Sequence, residues 1–175
     1  MVGTLAVSVF GVGTWVLFFP LVFFYGLVPL LDFVIGEDTS NPPESSIAAL
    51  EADPYYRWIT YATIPVLWVS VIFNCIFLCN YSLNIMEWIA TVIATGSVLG
   101  FGLNVSHELG HKLQKTPRKI ALFNTALGAY GHFSIEHNRG HHRHVSTPED
   151  PASSKMGESI YRFACREIPG AALRA

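Results

Sequence analysis

Residues 88–111 read WIATVIATGSVLGFGLNVSHELGH. No charged side chain falls between Trp88 and Ser106, and the run ends directly in His107-Glu108-Leu109-Gly110-His111. A helix that crosses a bilayer needs about 20 predominantly apolar residues. The stretch therefore reads as a membrane helix that carries two imidazoles at its end. Spaced four apart, His107 and His111 lie about 40° from each other around an α-helix and can address the same ion.

Outward from this segment the same pattern recurs. Residues 1–31 contain no charged side chain, and a second uncharged stretch runs from Trp58 to Met86, interrupted by Asn80-Tyr81-Ser82-Leu83-Asn84. The simplest division has spans near 8–31, 58–79 and 85–106, with 120–135 as a possible fourth. The predicted fold is all-α, a multi-pass transmembrane helical bundle with its histidine boxes at the cytoplasmic helix ends. Composition agrees: 51% of the 175 residues are hydrophobic and only 14% are charged, against about 25% charged in an ordinary globular domain. The acidic segment 32–56, with Asn41-Pro42-Pro43, reads as a loop that ends in a short surface helix. Residues 145–175 read as interfacial, because Ile160, Phe163, Ala164 and Ile168 recur near helical spacing among Arg162, Arg166 and Glu167.

The net charge of −2 conceals an asymmetry. Residues 1–106 hold seven acids and Arg57 alone among bases, −6, whereas 107–175 hold ten bases and six acids, +4. The bases of the second half are interleaved with acids and lack an aromatic platform, which speaks against nucleic acid. Lys112, Lys115, Arg118 and Lys119 directly follow the third span and place that end in the cytoplasm. Counting back puts Met1 outside, which suggests that another span precedes it. The N-terminus has no basic region and its apolar run is too long for a signal peptide, so it is expected to be a retained membrane helix. Cys75, Cys79 and Cys165 form no disulfide framework, and the first two are expected to be buried thiols. The sequons at Asn80 and Asn104 fall in a tight turn and at a helix end, where modification is not expected.

A second box follows in IEHNRGHHRH, residues 135–144. His137 and His141 repeat the four-residue spacing, and on an α-helix His142 projects about 100° away, where it can meet a second ion. H-E-x-x-H alone is also the zinc protease motif, with Glu108 as general base. A catalytic zinc takes three protein ligands, so five clustered imidazoles point to two metals. Imidazole suits zinc, copper, iron and nickel alike. His132 reads as a core histidine or as a donor behind the ligands. Helical geometry would permit ligation by His144, although Thr147-Pro148 argues against a helix there. Glu108, Glu136 and Asp150 either orient metal-bound imidazoles through their free N–H groups or balance Lys112, Arg139 and Arg143.

The chain resembles the integral-membrane alkane 1-monooxygenases, non-haem diiron enzymes, in PLLDFVIGEDTSNPPE (29–44), LEADPYYRWITY (50–61), NVSHELGHK (104–112) and YGHFSIEHNRGHHRHVSTPEDPASSKMGESIYRFACREIPGA (130–171). The resemblance implies that His107, His111, His137, His141 and His142 ligate iron and that His144 does not. It implies O2-dependent terminal hydroxylation of n-alkanes to primary alcohols at two non-haem iron ions (Fe2+/Fe3+). It also implies rubredoxin, with its reductase, as electron donor, and an inner-membrane location with the active site facing the cytoplasm. Trp15, Phe18, Phe19, Phe23 and Phe24 are then candidates for lining an apolar substrate channel, or else they are lipid-facing bulk. The family carries a further lone histidine and a third histidine box downstream, neither of which occurs within 1–175. The chain is therefore expected to be an N-terminal and middle fragment, a partial hydroxylase domain with five of roughly eight ligands. A xylene-type methyl hydroxylase, a desaturase, the zinc protease, and a truncated chain that does no chemistry are the rival readings.

Overall fold

The computed structural model describes residues 1–175, which are helical throughout their ordered elements and contain no strand. The chain divides into two compact units, Met1–Gly102 and Leu103–Ala175. In the first unit, α1 spans Val2–Phe10, α2 Thr14–Ile35, α3 Glu44–Ala52 and α4 Pro54–Asn80. Helix α5, Ile85–Gly110, runs through the boundary into the second. That unit continues with α6, Lys115–Leu127, with α7 over 133–144, and with α8, Ile160–Arg174.

Three helices, α2, α4 and α5, are long and apolar enough to cross a membrane. Their outward positions, such as Val66, Val69, Ile72 and Ile76 on α4, are at least half exposed and apolar, as suits a helix surrounded by lipid. The chain is thus part of a membrane protein. Two boundaries differ from the sequence expectation. The first span begins at Thr14 instead of residue 8, because Gly11 adopts φ 62° and its N–H and that of Val12 bond back to Val7 and Ala6. Only glycine takes that left-handed conformation without strain, and it closes α1. The stretch 120–135 is not one span: α6 stops at Leu127, and Ala129 sits at φ 55°. Cys75 and Cys79 point outward instead of into the core.

The starts of α4 and α5 follow from local chemistry. Asp53 Oδ1 accepts from the Tyr55 N–H at 2.9 Å, with Pro54 as the first helical residue, where its missing N–H is harmless. At α5, Asn84 Oδ1 accepts from the N–H groups of Met86 and Glu87, and Glu87 Oε2 accepts from the Asn84 N–H. This reciprocal capping box fixes where the helix begins, and so where the histidines at its far end fall.

Within the first unit, polar side chains join the helices. The Thr4 hydroxyl donates to Asn74 Oδ1 at 2.7 Å, and Asn74 Nδ2 donates to Thr95 Oγ1 at 2.9 Å, which links α1, α4 and α5. Asn74 is 4% exposed, and in an apolar setting such a group stays only if it is bonded. Replacing Asn74 with leucine should destabilise the protein by about 0.6–1.7 kcal/mol for each interhelical bond lost. The check is SDS-induced unfolding in detergent micelles; an unchanged midpoint would refute the role.

Candidate metal centre

The last turn of α5 presents His107, and the next residue beyond it, His111, completes the first pair. Their Nε2 atoms are 3.0 Å apart. The helix that positions them is anchored from below: Leu109 is buried, and Ser106 Oγ accepts from Asn124 Nδ2 of α6 at 2.8 Å. After α6, a turn through Tyr130 leads into α7.

Helix α7 is not a regular α-helix. It consists of an α-turn, Phe133–Ile135, a π-turn, Glu136–His141, and a further α-turn, His142–His144. A π-turn is wider, pairing residues five apart, and such turns recur at functional sites. It overturns the α-helical expectation that His142 points away from His137. Their Nε2 atoms lie 3.1 Å apart, five residues apart in sequence, and His137 Nε2 lies 3.2 Å from His111 Nε2. Four Nε2 atoms, from His107, His111, His137 and His142, thereby form one chain of close contacts. The donor atoms of His107, His111 and His137 all lie within 4.8 Å of one another.

His141 stands beside this cluster, its ring 5.3 Å from that of His137 and nearly parallel to it. Its Nδ1 lies 2.8 Å from Asp150 Oδ2. Asp150 has no exposed side-chain surface, and burial alone would raise its pKa. Hydrogen bonds from the Ser153 hydroxyl, the Ala152 N–H and His141 outweigh that and hold it below the usual carboxylate range. An ionised carboxylate can only accept, so His141 donates from Nδ1 and its Nε2 is turned away from Asp150.

The sequence of residues 82–174 matches the fatty acid desaturase family, more than half of the chain. The chain belongs to the fatty acid desaturase family. It is similar to alkane 1-monooxygenase 1 of Alcanivorax borkumensis, 50% identical over 155 residues that cover 89% of this chain and 38% of that protein. The alkane 1-monooxygenase of Pseudomonas putida is 47% identical over 163 residues, 92% of this chain and 40% of that protein. That of Acinetobacter baylyi is 36% identical over 144 residues. The chain spans about two fifths of the length of the relatives it matches most strongly.

The donor set fits a metal ion. Two ligands held at about 2.1 Å from one ion, at angles between square and tetrahedral, lie about 3.0–3.4 Å apart; the contacts of 3.0, 3.1 and 3.2 Å match. Burial and the surrounding imidazoles push the pKa of His137 down to about 4, and they lower that of His111. At neutral pH both are uncharged and offer lone pairs, which is the state a metal needs.

The remaining predicted residues of this family member separate into those near the cluster and those elsewhere. Glu108 Oε1 approaches His107 Nδ1 at 3.4 Å on an exposed side chain. Glu136 is 4% exposed and does not face a histidine; its Oε1 lies 3.5 Å from Arg174 Nε. His132 packs against the Tyr130 ring, and its buried Nε2 lacks a hydrogen bond. His144 pairs loosely with Glu149 at 3.9 Å, outside the cluster. In the first unit, Trp15, Phe18 and Phe19 are exposed, whereas Phe23 and Phe24 are half-buried and continue a row of ring contacts from Phe19 to Phe101. Sequence reasoning missed Arg166, which read only as a charged residue of an interfacial helix, and Arg174, which received no reading. Their signal was spacing: eight residues places them on one face of α8.

Gly140 lies inside the π-turn, where a Cβ would collide with the Glu136 carboxylate and come within 3.3 Å of Arg174 Nη2. Gly140→Ala should cost about 1–3 kcal/mol by overpacking, read as a lower melting temperature in detergent. In a Glu136→Ala background most of that loss should vanish. A full loss in both backgrounds would place the obstruction elsewhere.

Proposed function

We propose that this chain forms part of an alkane 1-monooxygenase that hydroxylates the terminal carbon of n-alkanes to primary alcohols, using O2 and non-haem iron. The observation that carries this reading is the line of four imidazole Nε2 atoms, 3.0–3.2 Å from one to the next, at the end of a membrane-spanning helix. The similarity to alkane 1-monooxygenases over some 90% of the chain supports it.

In this reading His107, His111, His137, His141 and His142 hold iron, and bound iron supplies the activation of O2 that a C–H bond at a chain end requires. Two irons call for about eight nitrogen donors, so further ligands come from sequence beyond the compared stretch. The protein's own part is to position and to exclude. Asp150 holds the His141 ring in one tautomer and orientation. The span that ends in the first box delivers an alkane from the bilayer without exposing it to water. Because an alkane offers no polar handle, the enzyme selects by the shape of an apolar channel, and the row Phe19, Phe23, Phe24 and Phe101 is a wall suited to it.

Electrons come from rubredoxin, reduced by its own reductase. The exposed bases Lys112, Lys115, Arg118 and Lys119, with Arg139 and Arg143, offer a surface for an acidic donor. Lys112, Lys115, Arg118 and Lys119 follow the third span, and the excess of bases on cytoplasmic loops supports a centre on the cytoplasmic face of the inner membrane. Four imidazoles in contact, instead of two beside a general base, weigh against the zinc protease.

The test is product analysis on membranes containing the full-length protein, given rubredoxin, reductase, NADH and O2. Octane should yield 1-octanol, and His137→Ala should abolish it. Oxidation of xylene alone, or desaturation of an acyl chain alone, would transfer the reading to the corresponding relatives. Enlarging the channel wall by Phe23→Trp should discriminate against the longest accepted alkane. One methylene in an apolar pocket is worth about 1–3 kcal/mol, so a drop in its turnover of about 10-fold or more is expected; unchanged profiles across the aromatic row would remove it from the channel.

A further inference from the structure

We propose that α8 is a splint for the second histidine box, with Arg166 and Arg174 as positioning residues that act on His141 and on the π-turn. The inference rests on the reading of that box as a metal site and adds to it two residues that touch no histidine.

Arg166 grips the loop that follows Asp150. Its Nη1 donates to the carbonyl of Pro151 at 2.7 Å, its Nη2 to that of Ser153 at 2.9 Å, and its Nε and Nη2 to the two oxygens of Glu158 at 3.2 and 2.8 Å. Glu158 in turn accepts from the Lys155 N–H at 3.0 Å, so both ends of the loop are tied to one guanidinium. Pro151 and Ser153 flank the cradle that holds Asp150: the Ala152 N–H and the Ser153 hydroxyl bond its two oxygens. The path is therefore short. Arg166 fixes the loop, the loop fixes the buried carboxylate, and the carboxylate fixes His141 Nδ1.

Arg174, two turns further along the same face, reaches the other end of the box. Its Nε lies 3.5 Å from Glu136, the first residue of the π-turn, and its Nη1 donates to the Glu149 carbonyl at 2.5 Å. Between the two arginines, Gly170 lets α8 approach the loop so closely that a Cβ there would fall 2.6 Å from Pro151 Cβ. One helix face thus carries a clamp at each end and a bare contact between them.

The two clamps differ in a way that can be tested. A lysine ammonium can keep the ion pair of Arg174 with Glu136 and lose no more than its one bond to the Glu149 carbonyl, but it cannot reproduce the planar fork through which Arg166 serves two carbonyls and a carboxylate. Ser159, whose hydroxyl accepts from the Arg162 N–H at the start of α8, provides a control: Ser159→Ala loosens the helix without removing either guanidinium.

The experiment loads full-length protein anaerobically with Fe(II), in detergent, and measures iron per chain, its removal rate by a water-soluble ferrous chelator, and the melting temperature. Arg166→Met and Arg166→Lys should both release iron about 10-fold faster than wild type, while Arg174→Lys stays close to wild type. Ser159→Ala should melt earlier with no faster release. If Arg166→Lys releases iron at the wild-type rate, or if Ser159→Ala speeds release as much as Arg166→Met, the splint is refuted and α8 is ordinary packing. A wild-type protein that takes up no iron would instead overturn the metal reading, and with it this inference.

Discussion

Four imidazole nitrogens within hydrogen-bond reach of one another form an arrangement that side chains do not adopt on their own. Neutral rings in such a line present lone pair to lone pair wherever no proton lies between them, and charging one makes its neighbours harder to charge. The pKa of His137 is depressed first by its burial and then by the imidazoles around it. Ser106, Asp150 and Glu136, with the residues bonded to them, hold the segments that carry these rings in place. Uncharged imidazoles so placed present the lone pairs that a cation requires.

The two boxes meet this constraint by different means. His107 and His111 rely on a helix of 26 residues, begun by a capping box and long enough to be rigid through its own backbone. The second box has no such support. Its helix covers about three turns and includes a π-turn, and isolated helices of that length are marginal in water. Order must be imported through Asp150, through Glu136, and through the arginines that hold both. The division of labour explains why one box needs a single carboxylate on an exposed edge while the other is enclosed by a loop and a distant helix.

How much of this was legible in the sequence follows from which rule each residue obeys. The three spans and the first box were readable because absence of charge and four-residue spacing both survive in a regular helix. The second box was readable as a cluster but not as a geometry. Counting 3.6 residues per turn sends His142 away from His137, and only the wider π-turn brings it back. The break at Gly11 was visible in principle, because glycine between two apolar runs is the usual mark of a left-handed cap. The end of α6 was less so, since Ala129 occupies a conformation that its side chain disfavours. Arg166 was the hardest to read. Besides Glu158, its partners are backbone carbonyls, and a carbonyl carries no trace of itself in the residue letters.

That last point bears on how such a centre can vary among related proteins. A histidine ligand or a buried aspartate is fixed by its own identity, since a substitution removes the group that does the work. The Pro151 and Ser153 carbonyls persist whatever side chains those positions carry, so the loop can change its sequence while Arg166 keeps hold of its backbone. The requirement falls on the guanidinium and on the cradle residues whose side chains take part, Ser153 and Glu158. Geometry at His141 then depends on few side chains and much backbone, an economical way to keep an imidazole in one orientation where a short helix cannot hold its own shape.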